Sequence, residues 1–189
     1  TTTSYSTGTD LYGGSWGPKT DSDKLVITQT YKVGGTREGR PVYVYDYKIK
    51  DSIGEVIVDN LFTGMVPKAG RLYLSREIVI NTEGTDIFGN ATYTETKTIY
   101  FLIKGKLVTD NAVSKTTSQD VLGNETISHS ETTYTYNING KDLFDPKTSV
   151  LSKGDILVFS TIETISSSKG EDMFGASWHT IAGQETVIT

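Results

Sequence analysis

Six acidic side chains stand where a hard cation could use them. Asp21 and Asp23 flank Ser22, Asp142 and Asp145 lie in a long irregular stretch, and Glu171 and Asp172 lead into a Met-Phe-Gly turn. Calcium takes about six to eight oxygens, mostly from loop carboxylates, carbonyls and hydroxyls. The three pairs are therefore candidate calcium sites, although no EF-hand loop is present. The competing reading is that each Asp caps the turn it sits in. Other chemistries find less support. His129 and His179 are far apart in the chain and show no metal-ligand spacing. There is no cysteine, so neither a disulfide nor a thiolate nucleophile is available. No serine sits in a nucleophile elbow. No glycine-rich piece opens a helix that could hold phosphate. No pair of carboxylates is singled out for glycoside hydrolysis. The chain reads as a protein that is not an enzyme.

Two further groups of residues could bind or carry sugar. Trp16 and Trp178, together with Tyr43, Tyr45 and Tyr47 on one face of an alternating segment, offer rings for stacking on sugars. The alternative is that these rings pack inside the protein. Asn90-Ala91-Thr92 and Asn124-Glu125-Thr126 have the form of N-glycosylation acceptors. A Thr-rich chain also generates such triplets by chance, and Asn after Gly is ordinary turn chemistry.

One short phrase positions several of these residues. Asp, two apolar residues, Gly and then a small residue or Asn recur at 10–14, 86–90, 120–124 and 172–176. The apolar pairs are Leu11-Tyr12, Ile87-Phe88, Val121-Leu122 and Met173-Phe174. The first and last copies continue into Ser15-Trp16 and Ser177-Trp178. Asp and Gly tolerate turn geometry, so each copy reads as a hairpin tip. Turn tips normally face water, and large apolar side chains there call for a cover. Either the chain's own sheet covers them or a neighbouring subunit does.

The elements between the tips are strands. Segments 24–33 and 41–50 are β-rich, and the second alternates strictly, as a half-buried antiparallel strand does. Further strands are expected at 54–62, 71–81, 91–104, 106–118, 125–137, 155–166 and 177–189. Residues 1–9 have β propensity but too few large apolar side chains to fix a register. They form either a frayed terminus or a strand in need of a host sheet. No segment holds a helical period. The expected fold is one all-β domain over 10–189, an antiparallel β-sandwich of jelly-roll type with about ten strands, or else an up-and-down β-barrel. The stretch 141–154 reads as a crossover between the two sheets of the sandwich.

Composition bounds the setting. The chain has 189 residues, 35% of them hydrophobic, and a net charge of −5. That charge is spread out and argues against nucleic acid, which requires a basic face. No window reaches the roughly 18 apolar residues of a membrane-spanning helix. Gln is confined to Gln29, Gln119 and Gln184, and a scarcity of Cys, Met and Gln is one mark of proteins that work hot. The opening Thr1-Thr2-Thr3 reads as a mature chain whose leader has been removed, or as a trimmed one.

In composition and layout the chain resembles subunits of archaeal extracellular filaments and tubes, the cannula proteins of hyperthermophiles in particular. That resemblance implies a Cys-free β-sandwich that polymerises with calcium, with a terminal strand inserted into the next subunit's sheet. Residues 1–9 would be the donor strand. A partial second likeness, over Ile53-Gly54-Glu55-Val56-Ile57-Val58-Asp59-Asn60 and Gly70-Arg71, is to dirigent and allene oxide cyclase barrels, and it does not extend to the rest of the chain. The leading expectation is a secreted, self-assembling structural protein. Its apolar tips meet adjacent subunits, its loop carboxylates bind calcium, and its partner is itself. A calcium-stabilised carbohydrate-binding module with glycan partners is the alternative, beside the dirigent-like or cyclase-like barrel.

Overall fold

The structure is a computed structural model that describes residues 1–11, 13–37, 39–58, 71–73, 77–103, 106–145, 149, 151–152, 154–181 and 186–188. At 22, 31–37, 41–47, 56–58, 71–73, 102–103 and 106 only the backbone is described. Tyr12 and the Tyr43, Tyr45 and Tyr47 side chains therefore lie outside the described residues, so neither the first tip's second apolar residue nor the tyrosine face is placed.

The fold is all-β and antiparallel. In chain order the strands are β1 (Thr2–Ser4), β2 (Gly8–Thr9), β3 (Ser15–Pro18), β4 (Leu25–Arg37), β5 (Arg40–Asp51), β6 (Gly54–Val58), β7 (Arg71–Tyr73) and β8 (Ile78–Thr85), followed by β9 (Ala91–Ile103), β10 (Lys106–Gln119), β11 (Glu125–Ile138), β12 (Asp142–Phe144), β13 (Leu157–Glu171), β14 (Ser177–His179) and β15 (Thr186–Ile188). A short 3-10 turn covers Asp21–Asp23, and no α-helix occurs among the described residues. One sheet has four strands in the order β1-β4-β5-β6. The other has eleven, with the path β14-β13-β11-β10-β9-β8-β3-β2 and β7, β12 and β15 paired to β9, β11 and β13. The large sheet is open, since β2 and β14 end the path without pairing to each other.

One expectation changes, and one open alternative is decided. The 141–154 stretch is not a crossover between sheets. It carries β12 back along β11 and then delivers the chain to β13, the next strand of the same sheet. Asn139-Gly140 provides the reversal, both residues taking positive φ (55° and 72°). Residues 1–9 are not a loose terminus either. β1 pairs with β4 through Thr2–Ile27, Thr3–Val26 and Ser4–Leu25, and β2 pairs with β3.

The core is small and lies at the end of the large sheet away from the four repeated turns. Phe101 on β9 is fully buried, with ring centroids 5.9 Å from Phe144 and 6.2 Å from Tyr136. Val108, Ile138, Leu151 and Leu157 close around them. The Tyr136 hydroxyl donates to the Thr109 carbonyl at 2.8 Å, and burial pushes its pKa up to about 12. The small sheet joins the large one through Asp51. Its buried carboxylate accepts the Val79 amide at 2.7 Å and the Ile53 and Gly54 amides at 3.1 Å. The chain presents 12208 Å² of surface, where a folded monomer of 20.7 kDa is expected to present about 8,900 Å².

Candidate functional site: a row of four hairpin tips

The four repeated phrases fold alike. In each, the Asp amide donates to the carbonyl of the fifth residue: Asp10 to Gly14, Asp86 to Asn90, Asp120 to Asn124 and Asp172 to Ala176, at 2.9–3.1 Å. The Gly amide donates back to the Asp carbonyl at 3.0–3.3 Å. The glycines take φ of +96° (Gly13), +86° (Gly89), +90° (Gly123) and +84° (Gly175), a region that a Cβ disfavours. The Asp carboxylate locks the turn from inside. Its Oδ1 accepts the fifth residue's amide in all four tips and, in the last three, the third residue's amide as well, at 2.8–2.9 Å. The phrase therefore specifies a turn whose middle two side chains are left out of its bonding.

Register sets the four tips side by side. Immediately beneath them one line of paired residues crosses the whole path: Thr9, Ser15, Thr85, Ala91, Gln119, Glu125, Glu171, Ser177. Each hairpin starts and ends on that line, so all four tips project from the same end of the sheet. With strands about 4.8 Å apart, successive tips stand about 10 Å apart and the row is about 29 Å long. Two asparagines tie the row together. Asn90 donates to Asp86 Oδ2 at 2.7 Å and accepts the Val121 amide of the next tip at 3.1 Å. Asn124 repeats this with Asp120 at 2.5 Å and Met173 at 2.8 Å. The two acceptor triplets thus coincide with side-chain amides that bridge neighbouring tips.

Among the described residues, nothing of the chain's own sheet covers the apolar side chains of the tips. Leu11 is 98% exposed, Phe88 72% and Phe174 86%, and Ile87, Val121, Leu122 and Met173 are all exposed. Neighbouring tips touch along their inner sides, with Ile87 Cγ2 3.7 Å from where a Cβ on Gly13 would lie and Val121 Cγ1 3.2 Å from one on Gly89.

The two outer hairpins share a longer sequence, Gly-x-Asp-apolar-apolar-Gly-small-Ser-Trp, at 8–16 and 170–178. Gly8 pairs with Trp16 and Gly170 with Trp178. A Cβ on either glycine would lie only 2.4–2.7 Å from the indole atoms, so each Trp lies over a bare glycine backbone. An aromatic laid across an edge glycine supports an otherwise weak strand pair. Each indole still leaves about half its surface exposed, at 51% and 50%. Between them the same face carries short hydroxyl side chains that bond across strands, as in Thr94–Thr116 (2.9 Å), Thr96–Ser114 (3.0 Å) and Thr132–Thr164 (3.0 Å).

The candidate calcium ligands lie apart. Asp21 is paired with Lys24 at 2.6 Å, and Asp23 accepts the Thr20 amide and hydroxyl at 2.9 and 2.6 Å. Asp142 is in β12, Asp145 follows it, Glu171 ends β13, and Asp172 is the cap of the fourth tip. Among the described residues no three His, Asp or Glu side chains converge to hold a metal ion. His129 and His179 sit on β11 and β14, paired with different partners.

Two consequences can be measured. Partial burial works to raise the Asp86 and Asp120 carboxyls, but amide and side-chain donors from Asn90, Phe88 and Gly89, and from Asn124, Leu122 and Gly123, outweigh it and hold both below the usual 3.8. A depressed folded pKa contributes stability that is fully present above 3.8 and is lost as pH falls through the lower folded value. Protection of the Phe88, Asn90, Leu122 and Asn124 amides, taken against the intrinsic exchange rate at each pH, should therefore fall on acidification below about pH 3.8, ahead of protection in the Phe101 core. Gly89→Ala should cost about 1–2 kcal/mol, because it adds backbone strain and crowds Val121. Gly123→Ala meets open space and should cost less. Urea unfolding of the two variants checks the order.

Comparison of the chain with protein-family models, curated proteins and solved structures found no match.

Proposed function

We propose that this chain is a structural subunit that assembles with copies of itself, covering the row of apolar tips in the process. The observation that carries this reading is the row itself: four turns of one design, fixed by their own Asp caps and held in line by Asn90 and Asn124, present large apolar side chains to solvent. Exposed apolar surface organised on this scale marks an interaction site. The core supports the reading from the other side. Among the described residues only Ile49, Ile78, Val79, Phe101 and Phe144 are buried hydrophobics, and the surface exceeds that of an ordinary monomer by roughly a third. Subunit contacts would supply the burial that the lone chain lacks.

The end product in this reading is a secreted filament or tube. Strand donation by residues 1–9 would exchange the pairs that β1 makes with β4 for a neighbour's edge. Calcium would act by offsetting the net charge of −5, which opposes the approach of like subunits; no step depends on a dedicated calcium site. Negative-stain electron microscopy with calcium and with chelator tests the reading. Filaments, tubes or closed oligomers are expected, favoured by calcium, and single particles of one-chain mass in both conditions would refute it.

A second reading has its own observation. Trp16, half exposed, borders a shallow depression of about 330 Å³ on its own face of the sheet, shared with Thr92, Asn90 and Asp10. An exposed ring beside hydroxyl and amide groups suits a glycan. A glycan array with the Trp16→Ala variant as control tests it, and signals that survive the substitution would count against this depression.

A further inference from the structure

We propose that copies of the chain join edge to edge, β14 of one copy pairing antiparallel with β2 of the next, with Ser177 opposite Thr9 and Trp178 opposite Gly8. This rests on the self-assembly reading and names the surfaces that meet. Strand direction permits it. The path from β2 to β14 has eight strands, each antiparallel to its neighbour. The two outermost strands therefore run in opposite directions. A copy placed beside another in the same orientation brings β14 against β2 as an antiparallel pair, with every tip still at the same end.

Register permits it too. The line beneath the tips begins at Thr9 and finishes at Ser177 without stepping along the sheet. The next line begins at Gly8 and finishes at Trp178, so both lines continue into a second copy.

The side chains at the junction fit one another. Within the chain, Trp16 stands between two glycines, Gly8 on β2 and Gly84 on β8. A Cβ on Gly84 would lie 3.0 Å from Trp16 Cβ, and one on Gly8 2.4 Å from the ring. Trp178 has Gly170 on one side and the open edge on the other. Gly8 of the next copy would fill that side and reproduce the Gly–Trp–Gly arrangement. Leu11 would arrive beside Gly175, around which there is open space. It would take there the place that Ile87 takes beside Gly13 and Val121 beside Gly89, although Met173 leaves Gly123 open within the chain. The two edges are short, of two and three residues, and carry no Lys, Arg, Asp, Glu or proline. Strands that avoid pairing carry charges, proline or bulges at their edges, whereas β2 is Gly-Thr and β14 is Ser-Trp-His. A head-to-tail contact of this kind does not use itself up and propagates. With sheet twist of about 20° per strand, the product is a coiled ribbon in which the apolar row runs on from copy to copy.

Engineered cysteines test the register, and the absence of native cysteine leaves the background clean. Antiparallel partners hold their Cα atoms about 4.5–5.5 Å apart, within reach of a disulfide. Thr9→Cys with Ser177→Cys, oxidised by oxidised glutathione under assembling conditions, should give a ladder of dimers, trimers and longer species on a non-reducing gel. The ladder should vanish with reductant. Each single variant should give nothing beyond a dimer, and the pair Thr9→Cys with Ser130→Cys should give no ladder. If the chain assembles by sedimentation yet the Thr9–Ser177 pair cross-links no better than this control, the edge contact is wrong and self-assembly stands. If it neither sediments as an assembly nor cross-links, both fall.

Discussion

Phe88→Ser combined with Phe174→Ser should leave the chain folded and strongly weaken the association that covers the tips. Both rings are largely exposed at turn tips whose backbone bonding involves neither side chain. Surface substitutions away from packed features usually change stability by less than about 0.5 kcal/mol, so in solution too dilute for assembly the urea midpoint and the circular dichroism spectrum should be unchanged. The effect on assembly should be large. Burying a Phe contributes about 1.5–3 kcal/mol, and every 1.4 kcal/mol is tenfold in affinity. Losing two rings from a contact should weaken it by on the order of a thousand-fold. Sedimentation velocity of the variant beside the unsubstituted chain measures this. Unfolding of the variant would instead mean that the rings are lids on the chain's own core.

Phe101→Ala should have the opposite signature, a loss of about 3–5 kcal/mol in folding stability, the usual range for a large buried aromatic. The cost falls on a small core. Phe101 touches Phe144 and Tyr136 and stands among five buried hydrophobics in the described residues. Few other buried groups can compensate for the cavity. If much of the chain's burial comes from neighbouring copies, the loss should be partly masked at concentrations where copies assemble and fully visible in dilute solution. Urea titrations at two protein concentrations separate these contributions.

Much of the fold was legible from periodicity and turn chemistry. The strict alternation of 41–50 and the Asp–Gly spacing of the tips announced antiparallel strands and hairpins, and β5 and the four turns are there. The 141–154 stretch was misread because irregular sequence with Asp and Pro marks a long connection without saying which strands it joins. Only the pairing of β12 with β11 shows that it stays in one sheet. The tips' apolar pairs were legible as an anomaly, but their exposure was not, since it depends on strand order placing all four tips at one end. The bridging role of Asn90 and Asn124 had a signal, namely Asn at the fifth position of the inner copies alone. It was obscured by the competing acceptor-triplet reading. The Gly8–Trp16 and Gly170–Trp178 pairs also had one, an identical spacing in two places, but a glycine two residues before a turn carries no mark of what lies across from it. The loop carboxylates show what residue type alone leaves open: Asp172 reads as a candidate calcium ligand, and its Oδ1 also accepts the Phe174 and Ala176 amides.

The most direct measurement of whether other copies cover the tips is hydroxyl-radical footprinting with mass spectrometry across a range of protein concentration. The apolar row should be oxidised readily in dilute solution at Leu122, Met173, Phe88 and Phe174. It should become protected as concentration rises, while an exposed residue away from the row, such as Ile53, keeps its rate. Oxidation of the tips that, like that of Ile53, stays unchanged across the concentration range would contradict assembly through this surface.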